Sequence, residues 1–323
     1  MASNSATKTI ENKGHSALFV FLKRLVKEKP LGTFGAAITL ILLLVGIFAN
    51  FLAPYGMNQA SASLMAPPSL AHWFGTDNLG RDLLSRVIYG ARISVIVGLA
   101  ASAISVTLST IIGMISGYIG GALDLILQRF VDAWMCIPAL IFSIVIISIV
   151  GTGMWQVIIV IGINMGIANS RIIRGATMSI KENMYLQAAD AIGASPARII
   201  MRHILPNIMA YVIILFSTVM PTAILIEASL SFLGYGIPPP AASWGGMVSG
   251  SARTYMFMDP WIVVWPGLAL TIVVYGVNMF GDALRDLLDP RLKGSSGRYG
   301  TKVKMSLLKK QLPALKKNSG ENS

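Results

Sequence analysis

Residues 133–170, AWMCIPALIFSIVIISIVGTGMWQVIIVIGINMGIANS, contain no Asp, Glu, Lys or Arg. A bilayer core about 30 Å thick needs ~20 apolar residues for one helical crossing, so this stretch is long enough for two. Gly151, Thr152 and Gly153 interrupt it near its centre and favour a turn. One unbroken helix over the whole stretch would overrun the membrane. The stretch therefore predicts a tight hairpin of two membrane-spanning helices.

The composition of the whole chain agrees with a membrane protein. Of its 323 residues, 54% are hydrophobic and only 12% are charged, whereas soluble domains carry roughly 25% charged residues. Apolar runs of spanning length predict an all-α, polytopic membrane protein with six transmembrane helices. They lie at about 32–53, 93–118, 125–149, 154–173, 208–230 and 261–283.

The basic residues predict the orientation of these spans. The net charge is +12, with 26 Lys and Arg, and nearly all of them fall in the two terminal segments and near residues 171–202. The exceptions in the alternate loops are Arg81, Arg86, Arg92 and Arg253. Because Lys and Arg accumulate on the cytoplasmic side of membranes, both termini and the 175–206 loop are expected to be cytoplasmic. The positive charge is thus assigned to topology, and no nucleic-acid partner is expected.

Three regions follow from this pattern. Residues 1–31 form a cytoplasmic N-terminal segment, in which 16–29, SALFVFLKRLVKEK, pairs an apolar face with a basic one and predicts a helix on the membrane surface. Residues 32–292 form the transmembrane domain. Residues 293–323 form a basic cytoplasmic tail suited to weak adhesion to anionic headgroups. The N-terminus lacks the features of a cleaved signal, so the first span is expected to remain as an anchor.

Catalytic and metal-binding patterns are missing from the sequence. His15, His72 and His203 lie in different segments, and the single cysteine forms no zinc-type cluster with them. The tail residues 294–302, GSSGRYGTK, lack the spacing of a phosphate-binding loop. The chain is therefore expected not to be an enzyme and to hold no cofactor or metal of its own.

Two acids inside the predicted spans each have two interpretations. Asp132 could form a local ion pair with Arg129 near the cytoplasmic face, or belong to a pathway. Glu227, near the external end of the fifth span, could line a passage or be satisfied by a neighbouring helix. A secondary transporter would need several coupling acids at midplane depth, and the sequence offers few.

Charge and glycine spacing in the first half of the chain predict further contacts. Asp77 with Arg81, and Asp82 with Arg86, are each four residues apart, which pairs charges on a helix face. Gly113 and Gly117 have the spacing that lets helices approach closely.

Residues 175–207, GATMSIKENMYLQAADAIGASPARIIMRHILPN, are too polar for a span. They predict a helix from Met184 to Ile192 with a small apolar face formed by Tyr185, Leu186, Ala188, Ala189 and Ile192. Gly193 is suited to end this helix. Ser195 can cap a second helix that has Pro196 at its first position, with Arg198 and Arg202 on one side. Two short helices with a sharp corner would fit a groove on another protein, or rest on lipid as a connector.

This loop resembles the EAA loop of permease subunits in bacterial and archaeal ATP-binding-cassette importers. The matching residues are Gln187-Ala188-Ala189, Gly193 and Ile204-Leu205-Pro206, with Gln187 in place of the family's glutamate. Four more stretches are similar to the second permease subunit of dipeptide, oligopeptide and nickel importers. They are FGTDNLGRDLLSRVIYGARIS at 74–94, SRIIRG at 170–175, EASLSFLGYGIPPPAASWG at 227–245 and GDALRDLLDPRL at 281–292.

The resemblance implies a type I importer permease fold and a place in the bacterial or archaeal cytoplasmic membrane. It implies a homologous permease as partner in a heterodimer, two ATPase subunits that bind ATP and Mg, and an external solute-binding protein. The implied cargo is di- or oligopeptides, with nickel or another small solute as the alternative and an ion-driven transporter as the less favoured one. The implied ATPase-coupling residues are Tyr185, Gln187, Ala188, Ala189, Gly193, Ala194, Ser195, Pro196, Arg198 and Arg202.

Overall fold

The structure is a computed structural model that describes residues 17–60 and 63–288. Every regular element in these ranges is a helix, and two isolated bridges, Ala60–Arg81 and Thr76–Asp82, are the extended pairings found there. The helices are α1 (Ala17–Glu28), α2 (Pro30–Ile47), α3 (Ala49–Leu52), α4 (Leu83–Ile119), α5 (Gly121–Met135), α6 (Ala139–Val150), α7 (Met154–Lys181), α8 (Met184–Ala191), α9 (Pro196–Ile199), α10 (Leu205–Phe232), α11 (Trp244–Val248), α12 (Ser251–Tyr255) and α13 (Trp261–Leu288). A π-helical turn, Ile200–Ile204, joins α9 to α10.

The chain divides into a unit Met1–Leu284 and a second unit Arg285–Ser323. The structure describes only the last residues of α13 in the second unit. The predicted basic tail, residues 293–323, lies outside the described residues, as do residues 1–16.

Long apolar helices confirm an all-helical, multi-pass membrane protein. Five continuous stretches are long and apolar enough to cross a bilayer: α2, α4, α7, the run Pro196–Phe232 and α13. The pair α5 and α6 provides a sixth crossing if the two together form one broken span. The six predicted spans correspond to these stretches.

The helix ends differ from the predicted spans. The span predicted at 125–149 is divided into α5 and α6, whose axes differ by 86°. The span predicted at 32–53 is divided at Phe48 into α2 and α3. The predicted hairpin turn is confirmed, because α6 ends at Val150 and α7 begins at Met154.

Helix α4 lies at the centre of the bundle and packs against α2, α7 and α10. Its contact with α7 is close because two glycines face that helix. A Cβ at Gly113 would lie 2.6 Å from the Ser170 carbonyl oxygen, and one at Gly117 would lie 2.8 Å from the Arg174 carbonyl oxygen. The predicted role of this glycine pair in helix packing is confirmed.

Helix α1 is amphipathic, in agreement with the predicted N-terminal helix. Leu25 is buried, whereas Phe19, Leu22 and Val26 are exposed apolar side chains. Arg24 and Glu28 form an exposed ion pair on the same helix. The position of α1 on a membrane surface stays a prediction.

Residues 53–60 and 63–82 form a folded cap over the first turn of α4. The Asp77 carboxylate accepts a hydrogen bond from Arg81 Nε at 2.7 Å, so the predicted pair forms. Asp77 lies in a turn, however, and not on a helix. The predicted pair of Asp82 with Arg86 is wrong. Arg86 lies 3.6 Å from Asp77 instead, because Asp82 caps α4 through the Ser85 N–H (2.7 Å).

A second anchor joins the cap end of α4 to the loop after α10. The indole N–H of Trp244 donates to the Val87 carbonyl oxygen at 3.0 Å. A Cβ at Gly90 would lie 2.6 Å from the Trp244 ring, so the indole lies directly against the α4 backbone. The first turns of α4 are thus fixed from two sides.

Candidate functional site

The segment between α7 and α10 forms the corner that the sequence predicts. Helix α8 ends at Ala191, and Gly193 follows with φ +80°. The Gly193 N–H donates to the Asp190 carbonyl oxygen (2.9 Å) and the Ala194 N–H to that of Ala189 (3.1 Å). These two bonds form a Schellman motif, which satisfies the last carbonyls of α8. The predicted helix stop at Gly193 is confirmed.

The second half of the corner departs from the prediction in its details. Ser195 has the extended backbone of an N-cap and its carbonyl accepts the Ile199 N–H at 3.0 Å, but its side chain makes no capping hydrogen bond. Pro196 starts α9, which lasts only one turn. A π-helical turn follows, closed by a bond from the Leu205 N–H to the Ile200 carbonyl oxygen. Pro206, which has no N–H, comes directly after it and is tolerated in the first turn of α10.

Buried aliphatic side chains attach the corner to the bundle. Leu186, Ile199 and Ile204 are buried in one cluster with Ile173 of α7 and Met114 of α4. The same cluster includes Ile208 of α10, so the corner is packed against three long helices, α4, α7 and α10.

The outer surface of the corner carries the predicted coupling residues. The exposed ones are Tyr185, Gln187, Ala188, Gly193, Ser195, Pro196, Arg198 and Arg202, while Ala189 and Ala194 are half-buried. The predicted apolar face is wrong at one position, because Leu186 points inward and is buried. Ile192 lies on the outer side, as predicted, with 86% of its surface exposed. Met184, which the sequence did not single out, is 85% exposed. Met184 and Ile192 thus place two large apolar side chains on the outer surface of the corner.

A groove of about 480 Å³ lies beside the corner. Its lining combines apolar and charged groups: Tyr118, Ile119, Lys181, Leu186, Gln187, Asp190, Pro196 and Ile199. The Lys181 ammonium donates to the Tyr118 carbonyl oxygen at 2.6 Å. The Gln187 side-chain amide donates to the Glu182 carbonyl oxygen at 3.3 Å, so Gln187 binds the backbone directly after the end of α7. Sequence reasoning missed Lys181 and Asp190 because Tyr118, more than sixty positions earlier, completes the groove.

Asp132 forms a charge cluster between helices. Arg129 Nη1 lies 3.2 Å from its carboxylate, which is the local pair that the spacing favours. Arg171 of α7 contacts the second carboxylate oxygen. The Asp132 and Arg171 side chains are 42% and 41% exposed in the single chain. A pathway role for Asp132 stays a prediction, since these contacts are compatible with both interpretations.

Glu227 is 1% exposed and is held by neighbouring hydroxyls. Ser231 Oγ donates to its carboxylate at 2.7 Å, and the Ser243 side chain also hydrogen-bonds to it. Ser231 Oγ in turn accepts the Ile237 N–H, while Ser243 Oγ caps α11. These contacts favour the structural interpretation, in which Glu227 holds the loop after α10. Its place in a pathway stays a prediction.

A further ion pair, which sequence reasoning missed, joins α5 to α7. The Arg174 guanidinium donates from Nε to one Asp124 oxygen at 2.6 Å and from Nη2 to the other at 2.5 Å. Ser116 of α4 also hydrogen-bonds to Asp124. The sequence did contain a signal for this pair. Asp124 directly precedes the span predicted at 125–149 and Arg174 directly follows the one predicted at 154–173, so both lie at the same membrane face. Among the described residues, no group of three or more His, Cys, Asp and Glu side chains could hold a metal ion.

Comparison with known proteins identifies the family. The model of the "Binding-protein-dependent transport system inner membrane component" family matches residues 109–294, more than half of the chain and all of the corner. A putative peptide transport system permease protein of Brucella suis is 41% identical over 285 residues, covering 87% of this chain and 94% of its own. The chain belongs to this family of importer permeases.

Other relatives of the permease have similar coverage. The oligopeptide transport system permease OppC of Bacillus subtilis is 37% identical, over 83% of the permease and 88% of OppC. The glutathione transport system permease GsiD of Escherichia coli is 37% identical, over 84% of the permease and 90% of GsiD. The fold resembles a chain of the inward-facing MetNI methionine ABC transporter, with a TM-score of 0.52, 17% identity, and coverage of 62% of the permease and 96% of that chain.

Proposed function

We propose that this permease forms half of a peptide pathway and that the corner at residues 184–198 couples it to an ATPase. The pathway is completed by a second, homologous permease, and a solute-binding protein delivers the peptide from outside. Two ATPase subunits bind ATP and Mg and carry out hydrolysis, so this chain is not itself an enzyme. The names of the Brucella suis and Bacillus subtilis relatives support peptides as the cargo.

The orientation proposed for the permease places both termini and the corner in the cytoplasm. The asymmetry of basic residues in the sequence supports it. The protein would lie in a bacterial cytoplasmic membrane, with the cap at residues 53–60 and 63–82 outside.

The observation that carries the coupling role is the combination of an exposed outer surface with a buried attachment. Met184 and Ile192 are almost fully exposed, and such side chains lose contact with water when a partner covers them. Leu186 and Ile199, on the inner side, are buried in the bundle. ATP-driven closure of the ATPase pair would move this surface, and the attached helices would move as rigid bodies.

Substitutions at Gly193 test the coupling role. A Cβ at Gly193 would meet nothing within 4 Å in this chain, so its backbone angle is the only internal constraint. After glycine, Asn tolerates this left-handed conformation better than most residues, and we expect Gly193→Asn to retain uptake. Gly193→Trp should insert normally but separate ATP hydrolysis from peptide uptake, because its ring blocks the approach of a partner.

The measurement is peptide uptake per ATP hydrolysed in proteoliposomes that contain both permeases, the ATPases and the binding protein. Gly151→Trp is the matched control, since Gly151 also has a positive φ (+97°) and free space at its Cβ, but lies at the turn between α6 and α7. Unchanged uptake by Gly193→Trp would refute the coupling role. Uptake of a nickel chelate and not of peptides would refute the proposed cargo.

A further inference from the structure

The break between α5 and α6 leaves three backbone carbonyl groups without partners. The N–H groups of Cys136 and Ile137 close the last turn of α5, each at 3.3 Å. Within residues 17–60 and 63–288, no hydrogen bond reaches the carbonyl oxygens of Met135, Cys136 or Ile137. Backbone carbonyls are strong acceptors whose burial without a partner costs free energy. The break therefore requires donors from outside this chain.

The depth of the break follows from its contact with α7. Asn164 accepts the Trp134 indole N–H (3.3 Å) and donates to the Ala139 carbonyl oxygen (3.3 Å), so it clamps the two sides of the break. At 1.5 Å per residue, Asn164 lies about 15 Å along α7 from Met154. This is half of a hydrocarbon core of about 30 Å. The break is thus at the middle of the membrane and not at its surface.

Lipid cannot satisfy the break. Residues 136–140 are exposed in this chain. Irregular backbone at membrane depth is found only where protein covers it or where it lines a water-filled space. The surface around the break must therefore face one of these two.

The charge cluster beside the break favours water. Cys136 Sγ contacts the Asp132 carbonyl oxygen at 3.3 Å, so Asp132 lies on the same side of α5, one turn away. Its partner Arg171 is about 25 Å along α7 from Met154, within the hydrocarbon depth. Both side chains are about two-fifths exposed. Ionised groups at this depth face a bundle interior or an aqueous cavity, and water can satisfy three carbonyls and two charges together.

We propose that the surface formed by Asp132 and residues 135–138 lines the aqueous translocation pathway. Its free carbonyl oxygens accept hydrogen bonds from the N–H and ammonium groups of a passing peptide. This inference rests on the proposed permease function. Direct coverage by the second permease is the competing possibility, and the test separates the two.

Cys136 provides the test, because it is the sole cysteine of the chain and is exposed at the break. Assembled transporters with cysteine-free partners are treated with a cationic methanethiosulfonate, which stays in water, or with N-ethylmaleimide, which enters lipid. The control is Ile272→Cys in a Cys136→Ser background. Ile272 is exposed in α13, about 16 Å from Trp261, but lies in an unbroken helix. Modification is followed by mass spectrometry.

We expect the cationic reagent to modify Cys136 about tenfold or more faster than the control, because the reactive thiolate forms in water and not in hydrocarbon. Peptide uptake, relative to the untreated sample of each variant, should fall in proportion to the modified fraction of Cys136. Modification by N-ethylmaleimide alone would place the break against lipid. No modification by either reagent would place it under the second permease. Either result, or equal rates for Cys136 and the control, overturns the inference.

The proposed function is judged separately in the same vesicles. If untreated transporters couple ATP hydrolysis to peptide uptake and Cys136 is inert, only the pathway assignment fails. If untreated transporters take up no peptide, the proposed function fails whatever the labelling shows.

Discussion

The contact between α4 and α7 allows a quantitative prediction at Gly113. A Cβ there would lie 2.6 Å from the Ser170 carbonyl oxygen, 2.7 Å from the Ile173 Cβ and 2.8 Å from the Arg174 backbone nitrogen. Two of these three atoms belong to the α7 backbone, so no side-chain rotation can relieve the overlap. In Gly113→Ala the two helices must separate by several tenths of an ångström.

The expected cost combines two opposing effects. Forced separation of packed helices typically costs about 1–3 kcal/mol, since even a small gap removes a large part of each dispersion contact. Replacing a helical glycine by alanine stabilises the helix by up to about 1 kcal/mol, because alanine has the higher helix propensity. We expect Gly113→Ala to lower the free energy of unfolding by about 1–2 kcal/mol.

Gly175→Ala is the matched control. Gly175 lies in α7, and a Cβ there would meet nothing within 4 Å. The same substitution should therefore be neutral or stabilise by up to about 1 kcal/mol. The two variants should differ by roughly 2 kcal/mol.

The assay is the thermal midpoint of the purified complex in nanodiscs, followed by tryptophan fluorescence, with uptake measured in parallel. Gly113→Ala should melt below the wild type, and Gly175→Ala at or above it. Equal midpoints for the two variants would refute the close backbone contact between α4 and α7.

Three further predictions concern polar contacts inside the bundle. Asn164→Leu removes both bonds of the clamp at the break and should cost about 1–2 kcal/mol, seen as a lower melting midpoint; an unchanged midpoint contradicts the clamp. Arg174→Lys keeps the charge but cannot bind both Asp124 oxygens. In a double-mutant cycle, it should therefore destabilise the wild-type protein more than the Asp124→Asn variant. Equal destabilisation of both proteins would argue against the pair. Glu227→Gln keeps an acceptor for Ser231 and should preserve uptake and melting, whereas loss of uptake at normal stability would assign Glu227 to the pathway.

Hydropathy located every span but not the helix ends, for a physical reason. A window of apolar residues reports the part of a helix that suits hydrocarbon, whereas the helix continues while its backbone bonds and packing remain favourable. Helix α4 therefore starts at Leu83, where Asp82 caps it, and not at the predicted residue 93. Helix α7 likewise extends to Lys181 beyond the predicted residue 173.

The break at Pro138 was visible in principle. A proline disfavours helical conformation in the residue before it, and Ile137 is that residue. The hydropathy pattern is insensitive to this because Cys136, Ile137 and Pro138 are all apolar enough to continue the run. The clamp by Asn164 could not be found, because it depends on how α7 packs against the two shorter helices.

The corner was predictable where local rules determine it. Gly193 has one strongly preferred use after a helix, and the structure contains it. The inward direction of Leu186 and the π-helical turn at Ile200–Ile204 depend instead on which side chains the bundle buries, and periodicity over one or two helical turns does not determine that.

Helix α4 has 37 residues, which at 1.5 Å each make a rod about 55 Å long. It contains no proline, unlike α10 with Pro221 and α13 with Pro266. One end is fixed by the contact with Trp244 and the other by the contact of Gly113 with α7. The rotation of one contact face about the helix axis relative to the other is therefore determined by the number of residues between them. A single inserted residue would turn one end by about 100° against the other. Chimeric permeases should therefore tolerate caps of different length. Between Leu83 and Gly117, they should tolerate only insertions or deletions that add or remove a whole number of helical turns.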